Sequence, residues 1–136
     1  TAQVPVLLEI GARAIGGACG RAHSNRLGFD YFELALRASL GDLIDVPLES
    51  RTPSGVMMIP PPCRGRLEAV DGIEDARGVE GVRDLFLVSK PGDLLVGLPE
   101  SGCYVGFIFA MGGSQGEVID RLRESHGKLQ FRMTPA

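Results

Sequence analysis

The run Tyr104–Met111 (YVGFIFAM) is apolar at every position, so an extended chain here has no polar face to offer to water. Such a segment predicts a central strand, covered on both sides. Tyr104 and Phe107 are expected in the core. Immediately downstream, Ser114 and Glu117 form an S-x-x-E capping box. Val118, Leu122 and Ser125 or His126 then recur on one helical face, and Gly127 supplies a stop, which predicts a helix over 115–126. Lys128–Met133 alternates and returns as a strand.

A strand covered on both sides needs neighbours. Val56–Pro60 reads as one, and Pro60-Pro61-Pro62 places its end at a sheet edge, since proline donates nothing to a ladder. Arg66–Val70 alternates polar and apolar residues. Val82–Ser89 is a further strand. Lys90-Pro91-Gly92-Asp93 sets Pro and Gly at the centre of a type II turn, with a short strand over Leu94–Leu98 after it. Residues 72–77 hold one or two helical turns. Nearer the start, Asp30 and Glu33 form a capping box for a helix at 31–40, with Phe32, Leu36 and Leu40 at helical spacing and Gly41 placed to end it. Val4–Ile10 reads as a buried strand ending at Gly11, and Gly11–Gly20 as a glycine-rich loop or a loop feeding a helix. The series predicts an α+β fold, a mainly antiparallel sheet with helices packed on one side. The polar, turn-prone residues 42–55 read as a connection that divides the chain into 1–46 and 47–136.

Composition narrows the function classes. Of 136 residues, 44% are hydrophobic and 23% charged, enough apolar material for a core and too much for a disordered chain. No stretch reaches the ~18 apolar residues of a membrane span. A net charge of −3 lacks the basic footprint of a nucleic-acid binder, and aromatic residues at 6% with no tryptophan argue against a base-stacking platform. Cys19, Cys63 and Cys103 are odd in number and widely spaced, and His23 and His126 lie far apart. This predicts neither a zinc site nor a disulfide framework, and fits a reducing, cytoplasmic setting. Cys103 is expected to be a small buried hydrophobe, His23 to sit in a solvated loop, His126 to be structural at a helix end, and Asp120–Glu124 to form a solvated helix face. The start carries no basic signal region and no initiator methionine, and reads as a piece of something longer.

Chemistry concentrates at Glu9, Gly11 and Arg13. If the segment is a strand, Glu9 and Arg13 share a face, with Gly11 leaving space between them. A carboxylate suits a hard Mg²⁺ and a guanidinium forks onto phosphate oxygens. Backbone N–H groups near Gly16-Gly17 can cup an oxyanion. A simple same-face ion pair is the blander reading of the same spacing. Lys-Ser or Lys-Thr does not follow Gly16, so a Walker A loop is excluded, and the G-x-G-x-x-G and G-x-S-x-G motifs are absent.

PVLLEIGARAIGG resembles the last catalytic strand of the ATP-grasp superfamily, which reads E-x-N-x-R before a glycine turn, with Gly11 standing in place of the Asn. The ordered series E-I-x-A-R-x-I-G-G, FELALRASLG, SGVMMIPPP, VSKPGD and YVGFIFAMG is similar to the C-terminal end of the L-amino-acid ligases, ATP-dependent carboxylate–amine ligases, and covers nearly the whole chain. The resemblance implies ATP and Mg²⁺ as cofactors, Glu9 as a metal ligand, Arg13 on the ATP phosphates, and the Gly16 N–H at the oxyanion, with Gly17 beside it in the cofactor site. It implies small-molecule carboxylate and amine substrates, an acyl phosphate between them, and an upstream ATP-binding region that this chain lacks, so that the 136 residues alone are expected to be inactive. The substituted Asn puts a second metal contact in question. Another ATP-grasp ligase of carboxylase or purine-pathway type, or a non-catalytic docking or dimerisation domain, are the rival readings, and a homodimer is left open.

Overall fold

The computed structural model of the chain describes residues 6–11, 13–42, 52–97, 99–100 and 102–136. Its architecture grows from the all-apolar segment. Strand β5 (Gly106–Met111) lies between β1 (Ser54–Ile59) and β3 (Val82–Leu87) in a three-stranded antiparallel sheet. Its position between two partners is what allows Ile108, Phe109 and Ala110 to be fully buried. β1 is an edge strand, as the three prolines after it require. A second antiparallel sheet orders β4 (Leu94–Leu95), β2 (Gly65–Asp71) and β6 (Gln130–Thr134). The α+β class with antiparallel sheets thus holds.

Helix α4 (Gln115–Lys128) begins where its box predicts. Ser114 Oγ accepts the Glu117 N–H at 3.2 Å, and Glu117 Oε2 accepts the Gly113 N–H at 2.6 Å. Val118, Leu122 and Ser125 are its buried stripe. Gly127 does not stop it; the helix runs to Lys128 because Leu129, extended at φ −77° and ψ 133°, buries its side chain and leads directly into β6. The 72–77 segment is the short helix α3 (Ile73–Arg77), and Ser125 Oγ donates to the Ala76 carbonyl at 2.9 Å, joining α3 to α4. Ile59, Leu67, Leu85, Leu95, Val105, Ile108, Ala110, Val118 and Leu122 form one continuous core between these layers.

The parity of β5 divides two environments. Ile108 and Ala110 face the side where Gly55 of β1 abuts Val118 and Leu122 of α4. Phe107 and Phe109 face the other side with Phe86 and Asp84 of β3 and Met58 and Ser54 of β1. That second face receives α1 (Cys19–Leu27), the helix fed by the glycine-rich segment, which is the second of the two readings of Gly11–Gly20. Helix α2 (Tyr31–Ser39) follows, capped by Asp30 Oδ1, which accepts the Phe32 N–H at 2.8 Å. No residue of α2 is buried.

Several local expectations need correction. Of the buried strand expected over Val4–Ile10, residues 4–5 lie outside the described residues and residues 6–10 are irregular and exposed, with Leu8 at 92%. Strands exist through ladder partners, and none among the described residues pairs with this segment. Cys103 is exposed rather than buried. His23 belongs to α1, not a loop, and stacks on Tyr31 with ring centroids 5.8 Å apart. In the Asp120–Glu124 stretch, Arg121 folds inward, donating to the Met111 carbonyl at 2.6 Å and pairing with Glu117. Of the short strand expected over Leu94–Leu98, Leu94–Leu95 is strand, residues 96–97 are irregular, and residue 98 lies outside the described residues. The predicted connection at 42–55 falls largely on residues 43–51, outside the described residues, and its last two residues open β1.

Candidate functional site

The glycine segment acquires shape from its own backbone. Gly17 and Ala18 both adopt left-handed dihedrals, φ 64° and 57°, and the Cys19 N–H closes the turn onto the Gly16 carbonyl at 3.2 Å. Two consecutive left-handed residues make a turn of the I′ kind, which glycine enters without cost and alanine does not. Helix α1 starts directly from it, the Arg21 N–H donating to the Ala18 carbonyl at 3.1 Å. The turn lies against β1: a Cβ on Gly17 would stand 2.8 Å from Met58 Sδ. At Gly16 an added Cβ would meet nothing within 4 Å, so the backbone there is open to an approaching group.

Helix α1 meets the sheet through Arg21, a residue for which the sequence reading had no role. Arg21 Nη2 lies 2.6 Å from Asp84 Oδ2, and its guanidinium carbon stands 5.3 Å from the Phe109 ring centroid and 5.6 Å from that of Phe86. Asp84 presents its carboxylate at an irregularity of β3, where the pairing with β5 shifts between Val82 and Asp84. Its other oxygen accepts the Leu85 N–H at 2.9 Å, which fixes the carboxylate's direction. A second tie runs from Ser54 Oγ to the Ala22 carbonyl at 2.7 Å. On the solvent side Tyr31 braces the approach: its hydroxyl accepts the Ile15 N–H at 3.4 Å, and its ring covers Gly20. Cys19 is half-buried beside this turn. No signal at the level of residue spacing marks Arg21 or Asp84, which lie 63 positions apart.

Glu9 and Arg13 are both exposed. The Arg13 N–H donates to the Gly11 carbonyl at 2.8 Å, a bond between residues two apart that an extended strand does not make, so the same-face argument from strand alternation does not apply here. Arg13 Nη1 turns back onto the Ala14 carbonyl at 3.3 Å. Gly11 is open, with nothing within 4 Å of a Cβ built there. The chain therefore brings Gly16 and Gly17 into one built turn, and leaves Glu9 and Arg13 as accessible side chains on the segment that leads to it. An accessible carboxylate and guanidinium fit a Mg²⁺–phosphate group, since Mg²⁺ takes one or two carboxylates and completes its shell with phosphate and water. Among the described residues no group of three or more His, Cys, Asp or Glu side chains gathers to hold a metal, so Glu9 would share such an ion with ligands from elsewhere.

The architecture is a pair of antiparallel sheets with a glycine turn feeding α1 on one face, and its fold is shared with solved ligase structures. The chain matches the crystal structure of an L-amino acid ligase from Bacillus licheniformis with a TM-score of 0.72 and 24% identity, over 87% of this chain and 30% of that one. N5-carboxyaminoimidazole ribonucleotide synthetase from Thermotoga maritima matches with a TM-score of 0.60 and 14% identity, over 88% of this chain and 31% of that one. The family described as L-amino acid ligase C-terminal domain 2 matches residues 57–134, and the chain belongs to it. No curated protein matches the chain. The chain thus spans under a third of the length of either solved structure. Residues 57–136 make up only about three-fifths of the sequence, so a fold likeness over 87% of it extends upstream into the α1–α2 region.

Proposed function

We propose that the chain is the C-terminal part of an ATP-dependent carboxylate–amine ligase, one that activates a carboxylate, in our reading that of an amino acid, as an acyl phosphate and couples it to an amine. The observation that carries this reading is the family match over residues 57–134, joined to a fold likeness to an L-amino acid ligase over 87% of the chain. In this reading Glu9 is a ligand to Mg²⁺ and Arg13 forks onto the transferring phosphate. Phosphoryl transfer asks for charge neutralisation and alignment more than for covalent help. Mg²⁺, when bound, supplies that neutralisation. Arg13 holds phosphate oxygens with two parallel donors, which a lysine does not reproduce. The Gly16 N–H donates to the oxyanion that forms as the amine adds, and Gly17 lets the backbone approach. Residues 1–46 complete the catalytic lobe, and residues 47–136 form the appended subdomain that packs behind it. In this reading the ligase works on small-molecule substrates in the cytoplasm.

The test is made in the full-length protein that contains this chain, supplied with Mg²⁺–ATP and a mixture of the proteinogenic L-amino acids, following ADP release and mass-resolved amide products. Amino-acid-dependent ADP release with matching amide formation is expected, falling on the order of 100-fold in Arg13→Lys and in Glu9→Gln. Wild-type turnover in Arg13→Lys defeats the reading. The 136 residues alone should release no ADP.

A second reading is favoured by α2. Phe32, Leu36 and Leu40 line one side of it and are 53–75% exposed, the pattern of a surface that meets another surface. A docking or dimerisation domain predicts association that ignores Glu9 and Arg13. A ligase predicts Mg²⁺–nucleotide affinity that depends on both.

A further inference from the structure

We infer that Arg21 is a positioning residue for the acyl-transfer half of the reaction, setting the Gly16 N–H through its latch on Asp84 and Phe109. This rests on the ligase reading above. The turn Gly16–Cys19 and the first turn of α1 are one hydrogen-bonded unit, Cys19 N–H to Gly16 and Arg21 N–H to Ala18. A short turn with both central residues left-handed has little freedom of its own, so its direction follows that of the helix it enters. The helix in turn is oriented where its side chains meet the sheet. Arg21 is the first-turn side chain with both a charge partner, at 2.6 Å, and two aromatic faces, at 5.3 and 5.6 Å. Its Phe109 partner is fully buried in the central strand and its Asp84 partner is aimed by the Leu85 N–H. These anchors belong to β3 and β5, within the family-matched residues 57–134, whereas the turn lies upstream of them. The latch therefore transmits the position of the C-terminal subdomain to the turn. Glu9 and Arg13 precede the turn and are not tied to the latch by any bond described above.

That separation gives the two half-reactions different sensitivities. Phosphoryl transfer needs Glu9 and Arg13, while addition of the amine needs the Gly16 N–H. Weakening the latch should leave ATP use nearly intact and let the acyl phosphate be lost to water. The experiment measures both ADP release and amide product in the full-length protein with Mg²⁺–ATP and the L-amino acid mixture. Arg21→Met keeps the aliphatic stem and removes the charge; Asp84→Asn removes the partner and leaves Arg21 stacked. Both should keep the KM for ATP within about twofold while the ratio of ADP released to amide formed rises roughly five- to tenfold. The double variant should be no worse than Arg21→Met alone, because that change already breaks the pair with Asp84. Arg21→Lys, which keeps the charge without the planar stack, should fall between. ADP and amide declining together at a constant ratio would make Arg21 merely structural and end the proposal. If the wild-type protein releases no amino-acid-dependent ADP, the ligase reading itself has failed. An association phenotype in the Arg21 and Asp84 variants without any change of the ratio also overturns the latch.

Discussion

Ala18 holds φ at 57°, a region where its Cβ crowds the next carbonyl. The strain of about 1–2 kcal/mol there exceeds the roughly 0.5–1 kcal/mol that glycine loses in backbone freedom. Ala18→Gly should therefore raise stability by about 0.5–1 kcal/mol, read as a higher urea midpoint at unchanged slope. The neighbouring exchange has the opposite sign. Gly17→Ala sets a Cβ 2.8 Å from Met58 Sδ at φ 64° and should cost about 1–2 kcal/mol. Gly11 differs from both. Its backbone is not left-handed and nothing lies within 4 Å of a built Cβ, so Gly11→Asn should leave the midpoint within about 0.5 kcal/mol of wild type. On the proposed ligase reading, the same exchange in the full-length protein should lower the Mg²⁺ concentration needed for half-maximal ADP release. No change in Mg²⁺ dependence would mean that position 11 does not face the metal.

Helices α2 and α4 carry the same kind of cap and differ in what the cap supports. Asp30 and Ser114 each accept a backbone N–H from the first turn. α4 buries Val118, Leu122 and Ser125, so losing its start loosens the core; α2 buries nothing. Ser114→Ala should lower global stability by about 1 kcal/mol. Asp30→Ala should instead speed amide exchange within Tyr31–Ser39 and leave the global midpoint unmoved. Ser125→Ala joins the α4 class. Its Oγ is fully buried on the Ala76 carbonyl, and leaving that acceptor bare should cost about 1–2 kcal/mol.

Across the whole molecule, apolar burial is unevenly spread. Buried side chains concentrate in residues 59–129, whereas Val6, Leu7, Leu8, Ile10, Leu36 and Leu40 are all more than 60% exposed. Leu122→Ala should cost about 2–4 kcal/mol in urea unfolding. Leu36→Ser should change it by less than about 0.5 kcal/mol. A large loss from Leu36→Ser would show that α2 packs in solution.

The legible parts of the sequence were those whose signal lies within one element. The all-apolar run announced the central strand, two boxes announced two helices, and Lys90–Asp93 announced its turn, with Gly92 at φ 96°. The ordered series of family motifs pointed to the family and to its fold. Period and capping chemistry are local, and the chain shows them before it folds. Other features depended on partners far away in sequence. Whether Val6–Ile10 is a strand turns on a neighbour to pair with, and no described segment supplies one. Whether Arg21 is a surface charge or the anchor of α1 turns on Asp84, Phe86 and Phe109, which only strand registration brings beneath it. Sequence settled the segments with a strong local signal, the apolar strand β5 and the capped helices α2 and α4, because period and capping act within one element. The tertiary structure alone decided which face α1 covers and what holds the glycine turn, because an ion pair and an aromatic face across a sheet exist only once the sheet has formed.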